Sequence, residues 1–151
     1  MNELKELYQQ VIIDHGHSPR NFGVLENSNK QSKGFNPVCG DRLTIYLKVE
    51  DDTIKAVQFE GQGCAISMAS ASLMTEMING MSTAQALELF NNFHKMVVCE
   101  NADEKNIEKI GKLSVLRGVR AYPSRVKCAT LAWHTLSAAL SSTDNATVST
   151  E

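Results

Sequence analysis

The stretch Leu43-Thr44-Ile45-Tyr46-Leu47-Lys48-Val49 alternates apolar and polar side chains with a period of two, the pattern of a half-buried strand. Asp51-Asp52 supplies turn residues, and a second strand is predicted from about Thr53 to Glu60. The two make an antiparallel hairpin. Alternation slips at Ala56-Val57, where a bulge is expected. Gly61-Gln62-Gly63 breaks the second strand, and a helix rich in small residues is expected over Ala65–Ile78, ended by Gly80. Ser82 and Gln85 have capping-box spacing and open a further helix with Leu87, Phe90 and Val97 on one face.

Towards the N-terminus, Leu4, Leu7, Tyr8, Val11 and Ile12 mark one face of an amphipathic helix ending near Asp14-His15-Gly16, followed by a polar loop to about Gly34. Towards the C-terminus, Glu100 to about Lys112 reads as loop plus a short helix. Pro123 and Ser124 then open a last helix whose stripe is Val126, Ala129, Trp133, Leu136 and Leu140. After Ser141 the chain is Ser/Thr-rich without apolar periodicity, so 142–151 is expected to be a disordered tail behind a single domain of residues 1–141. Helix, strands, then helices is the order of an α+β fold: a small antiparallel sheet with helices packed on one face.

The chain has 151 residues, 42% of them hydrophobic, which suits one domain with one core. A formal charge of −2 argues against nucleic acid as a partner. No apolar run is long enough to span a membrane, and the charged start lacks the pattern of a signal peptide. A cytoplasmic setting is therefore expected, where thiols stay reduced and the four cysteines are not read as disulfides.

Cys39 lies in Asn36-Pro37-Val38-Cys39-Gly40-Asp41, where Gly40 permits a tight turn that could aim Cys39 and Asp41 at one point. A thiolate beside a carboxylate suits a divalent metal such as zinc; a plain turn before a strand is the alternative. Cys64 follows two glycines and starts a helix, whose N-terminus favours a thiolate; a space-filling residue at the junction is the alternative. Cys128 has Arg125 and Lys127 close by near the start of the last helix, which also favours a thiolate; a core-facing cysteine is the alternative. Cys99, beside Glu100 at a helix end, is left outside the site. Three cysteines and Asp41 make four potential ligands, the number of a closed tetrahedral zinc site, although no CxxC pair is present. HEXXH, G-x-S-x-G and Walker motifs are absent. Lys109, Lys112, Arg117, Arg120, Arg125 and Lys127 gather positive charge ahead of Cys128, either a solvated surface or a docking face for an acidic protein.

Taken together, Asn36-Pro37-Val38-Cys39-Gly40-Asp41, Gly61-Gln62-Gly63-Cys64-Ala65-Ile66-Ser67 and Arg125-Val126-Lys127-Cys128-Ala129-Thr130-Leu131 resemble the NifU/IscU-like iron–sulfur cluster assembly family, as does the early His15…Pro19-Arg20-Asn21 loop. Within it the chain resembles the SufU type. Lys127 stands where the IscU branch has a histidine, and the charged segment around Glu100–Arg117 is similar to a stretch that the SufU branch has in addition. The resemblance implies a SufE/NifU-like fold and Zn2+ held by Cys39, Asp41, Cys64 and Cys128. It implies a cysteine desulfurase of the SufS type as partner, with other SUF cluster assembly proteins. Cys39 would be the persulfide acceptor of a zinc-dependent sulfurtransferase, and Arg125 would help docking. The alternative is a scaffold on which a [2Fe-2S] or [4Fe-4S] cluster is built, because cluster iron also binds cysteine.

Overall fold

The computed structural model describes residues 2–98, 110–141 and 146–149. In chain order these form α1 (Asn2–His17), β1 (Lys30–Asn36), β2 (Asp41–Glu50), β3 (Thr53–Gln62), α2 (Ala65–Ile78), α3 (Thr83–Val98), a 3-10 helix (Gly111–Ala121), α4 (Pro123–Ser141) and β4 (Ala146–Ser149). The expected α+β fold is present: β1, β2 and β3 are antiparallel, and helices cover one face of the sheet.

The hairpin sits where the alternation places it. Asp51 and Asp52 both take positive φ, 52° and 59°, the backbone of a two-residue turn whose twist matches the strands it joins. Leu43, Ile45 and Leu47 of β2 and Ile54, Val57 and Phe59 of β3 point into the core. The bulge falls next to the expected place: Lys48 pairs with Ala56 and Val49 with Ile54, which leaves Lys55 as the extra residue.

Strand β1 replaces part of the expected polar loop. Its inward positions are Ser32, Gly34 and Asn36, so no hydrophobic alternation marks it. They are small because α4 crosses there: a Cβ on Gly34 would lie 2.0 Å from Thr135 Oγ1. The tail reading is corrected over Ala146–Ser149, which pairs parallel with β1 to give the sheet order β3-β2-β1-β4. The outer edge of β1 offers unpaired backbone groups, and a segment with Thr147 and Val148 is suited to take them.

Helices α2 and α4 lie on the sheet, with α1, α3 and the 3-10 helix packed around them. The capping box forms, with Ser82 N–H donating to Gln85 Oε1 at 3.0 Å and Gln85 N–H to Ser82 Oγ at 3.1 Å. The buried face of α3 is Ala86, Leu89, Phe93, Met96 and Val97; Leu87, expected on it, is exposed. Helical structure beyond the expected short helix continues to Ala121, burying Leu113, Leu116 and Val119, whereas Cys99 to Lys109 lie outside the described residues. Trp133 of α4 is fully buried against Phe90 and Phe93.

The loop after α1 is fastened to α2. Buried His15 places Nδ1 2.7 Å from Ser72 Oγ and Nε2 3.7 Å from Glu76 Oε1. Arg20 N–H donates to the same Ser72 hydroxyl at 2.8 Å, and Asn21 Nδ2 donates to Thr75 Oγ1 at 3.1 Å. Asn21 and Gly23 also bond the backbone of Phe59 in β3. Among the described residues no helix is long and apolar enough to cross a membrane.

Candidate metal centre

Three chain reversals meet at one end of the sheet. Asn36 and Asp41 are paired across the end of the β1–β2 ladder, so 37–40 form a short hairpin loop with Cys39 near its tip. Gly40 N–H closes the loop on the Asn36 carbonyl at 2.8 Å, and Val38 N–H donates to Asn36 Oδ1 at 3.3 Å. Gly40 takes φ +75°, the turn its sequence position suggests. Cys64 is the N-cap of α2 with an extended backbone, and Cys128 lies in the second turn of α4.

Ligand atoms of Cys39, Asp41 and Cys128 all lie within 4.8 Å of one another. The Cys39 and Cys128 Sγ atoms are 3.4 Å apart. Cys64, expected as a fourth ligand, is not in this group of three, although it acts electrostatically on the Cys128 thiol. Exposure differs sharply within the set: Asp41 and Cys128 are fully buried, Cys64 is half-buried and Cys39 is exposed.

Asp41 is held from two sides. Its Oδ1 accepts the Cys64 backbone N–H at 2.9 Å and its Oδ2 accepts the Asn36 amide at 3.4 Å. Gly63 leaves the room for this, since a Cβ there would lie 2.5 Å from Asp41 Oδ1. The same Asn36 amide reaches Cys128 Sγ at 3.6 Å, and the Ser124 carbonyl faces that sulfur at 3.5 Å. Sequence reading assigned Asn36 no role; its place before Pro37 in the first thiol motif was the available signal.

Arg125, Lys127 and the helix start, which favour a Cys128 thiolate in the sequence, are opposed by burial of that side chain. Burial pushes the Cys128 thiol well above its ordinary value, and hydrogen bonding to Cys39 and Asp41 and the charge of Cys64 act the same way. Arg125 is exposed, and its electrostatic interaction with Cys64, followed by its bond with Cys128, raises its pKa further. The guanidinium near Cys128 therefore does not overcome the desolvation of that thiol.

These residues fit a divalent metal. Soft sulfur donors with one carboxylate are a zinc-type set. Asp41 is a fully buried carboxylate that, among the described residues, no ion pair reaches. A buried charge of that kind needs a counter-charge, and a cation between the sulfurs and the carboxylate would provide one.

Residues 7–146 match the family described as the NifU-like N terminal domain. The chain is 44% identical over 133 residues to the zinc-dependent sulfurtransferase SufU of Bacillus subtilis, covering 88% of each chain. It is 41% identical over 136 residues to the iron–sulfur cluster assembly scaffold protein IscU of Thermotoga maritima, covering 90% of this chain and 94% of the other. Among solved structures it is similar to a putative iron–sulfur cluster assembly scaffold protein for the SUF system from Fervidobacterium islandicum. That match has 38% identity and a TM-score of 0.82, over 89% of this chain and 97% of that one.

Proposed function

The chain belongs to the NifU-like N-terminal domain family, as a SufU-type iron–sulfur cluster assembly protein, and from that membership we propose that it is a zinc-dependent acceptor and carrier of persulfide sulfur. The observation that carries this reading is the difference in access within one cluster. Cys39 is exposed on a loop, while the Asp41 and Cys128 groups beside it are buried.

In this reading Cys39, Asp41, Cys64 and Cys128 are the zinc ligands. Zinc, when bound, lowers thiol pKa values so that its cysteines are thiolates at neutral pH. The protein's own residues do the rest. Asn36 and the Cys64 amide fix Asp41, and Asn36 also fixes Cys128, so neither group can follow a partner outward. The Cys39 thiolate attacks the terminal sulfur of a persulfide on a SufS-type cysteine desulfurase. The partner's S–S bond breaks, a persulfide forms on Cys39, and the partner's cysteine leaves as a thiolate. Arg125, exposed beside the sulfurs, offers a cation to the docking partner and to the sulfur anion in transit. Reduced thiols of this kind suit the cytoplasm.

Peptide mapping by mass spectrometry, after incubation with a cysteine desulfurase and cysteine, tests the assignment. The persulfide is expected mainly on Cys39; finding it mainly on Cys64 or Cys128 would refute the acceptor role. A scaffold role is the second reading, favoured by the 41% identity to a protein named as a scaffold. Anaerobic purification separates the two: stoichiometric iron and acid-labile sulfide without zinc would favour the scaffold.

A further inference from the structure

The helices cover one face of the sheet. On the other face, towards the end that carries the Cys39 loop, lies a hollow of about 550 Å³. Strand register sets its floor. Alternation turns Leu43, Ile45 and Leu47 inward, so Arg42, Thr44 and Tyr46 of β2 face outward. Phe35 of β1 lies opposite Arg42, and Lys33 lies opposite Thr44, which is paired on its other side with Glu60 of β3. Lys33, Phe35, Arg42, Thr44 and Glu60 all line the hollow.

Its charges are not cancelled. Lys33 and Arg42 are exposed, and among the described residues no ion pair reaches either. The anion in the hollow, Glu60, already has a partner: its Oε1 accepts the hydroxyl of Tyr46, which is buried on the same face. Burial, then this bond, pushes the Tyr46 phenol up to about 12, so at neutral pH it keeps its proton and stays the donor. Lys33 and Arg42 are diagonal neighbours across the pleat, close enough for long side chains to meet on one anionic group. Between them Phe35 is 38% exposed, which leaves part of a large apolar ring bare beside two free cations.

We propose that this hollow is a binding site for a small organic anion with a planar apolar body, of the aromatic carboxylate class. Lys33 and Arg42 take the carboxylate, Arg42 through the paired donors of its guanidinium, and Phe35 packs against the ring. The volume falls in the range of about 300–1,000 Å³ typical of small-ligand sites, which likewise combine apolar ground with a few charged groups. A ligand seated there spans β1 and β2 beside the loop that carries Cys39. Phe35 precedes Asn36 and Arg42 follows Asp41, whose side chains turn the other way into the thiol centre. None of the proposed metal ligands takes part, so the site is independent of the zinc reading.

Titration of the isotope-labelled full chain with naphthoate, followed through amide NMR shifts, tests it. We expect saturable shifts centred on Lys33–Phe35 and Arg42–Thr44. Naphthalenemethanol, the neutral analogue, should bind about tenfold more weakly, and naphthoate should lose about the same factor on Arg42→Gln, the scale of a charged hydrogen bond. Phe35→Ala should weaken both ligands alike, and Glu60→Gln should not weaken naphthoate. The two-ligand comparison on the wild-type chain needs no variant to fold. Shifts that do not saturate, that centre elsewhere, or that the neutral analogue reproduces at equal affinity would overturn the proposal. So would shifts evoked only by an acidic peptide with a central phenylalanine, which would make this face a protein-docking surface.

Discussion

The backbone N–H of Cys64 donates to Asp41 Oδ1 at 2.9 Å, joining the first residue of β2 to the N-cap of α2. The bond exists because Gly63 has no side chain. Gly63→Ala would place a Cβ 2.5 Å from that oxygen, and the obstructing atoms all belong to the held Asp41 side chain. We expect this variant to fold but to retain zinc at about a tenth of the wild-type affinity or less, the scale of a disturbed ligand support. Competition with a zinc chelator measures it, and wild-type affinity would show that Asp41 is not held against Gly63 as described.

Asn36 offers one amide to both Asp41 and Cys128 while its carbonyl oxygen receives Val38 N–H. Asn36→Ala should therefore loosen two ligands and the Cys39 loop together. We expect zinc affinity to fall about 10–100-fold, with a loss of about 1–3 kcal/mol in metal-free stability from the unpaired groups left behind. Chelator competition and denaturant melts read the two quantities separately; an unchanged zinc affinity would remove Asn36 from the site.

Cys39 and Cys128 have sulfurs 3.4 Å apart but very different access. Cys39→Ser should abolish stimulation of a cysteine desulfurase while the fold persists, because its side chain lies at an exposed loop tip. Cys128→Ser should damage zinc retention and lower the melting midpoint more, because it sits at zero exposure where α4 meets the sheet. Equal losses in both variants would contradict the division of labour.

On the proposed zinc reading chelation should destabilise the protein, because the proposed ligands come from three segments far apart in sequence. At zinc about a thousandfold above its dissociation constant, linkage contributes roughly 4 kcal/mol, or about 10 °C in midpoint for a chain of this size. A thermal melt before and after metal removal, with loss verified by elemental analysis, checks this. An unchanged midpoint would show that the folded state does not depend on the site.

His15 provides a pH dependence of its own. Burial, then the charge of Arg20, lowers its pKa below the ordinary 6.5, with Lys112 acting the same way and Glu76 and Asp14 opposing. The unfolded chain then binds the proton more readily than the folded one. Its contribution to stability is complete above about pH 6.5 and is lost as pH falls through the window below that value. Between pH 7.5 and 5.5 the wild-type midpoint should fall more than that of His15→Gln, whose side chain does not titrate. Parallel curves would mean that His15 charges as easily in the fold as in the unfolded chain.

The hairpin, α2, the capping box of α3 and α4 were all legible in the sequence, because each is written in local periodicity or in a short-range cap. The three thiol motifs were also legible as a set and carry the resemblance to the family. What tertiary structure alone decided is where burial overrode local signals. β1 was invisible because its inward residues, Ser32, Gly34 and Asn36, are small or polar to let α4 cross, and hydrophobic alternation is the usual mark of a strand. Cys128 lies off the apolar stripe of α4 yet is fully buried, since α4 packs against both the sheet and α2; that desolvation outweighs the neighbouring cations. The support of Asp41 by Asn36 and the Cys64 amide joins residues up to 23 positions apart, and the reach of Asn36 to Cys128 spans 92. Composition and spacing can nominate thiols, but only the packed chain sets which are buried, which is exposed, and which neighbours hold them.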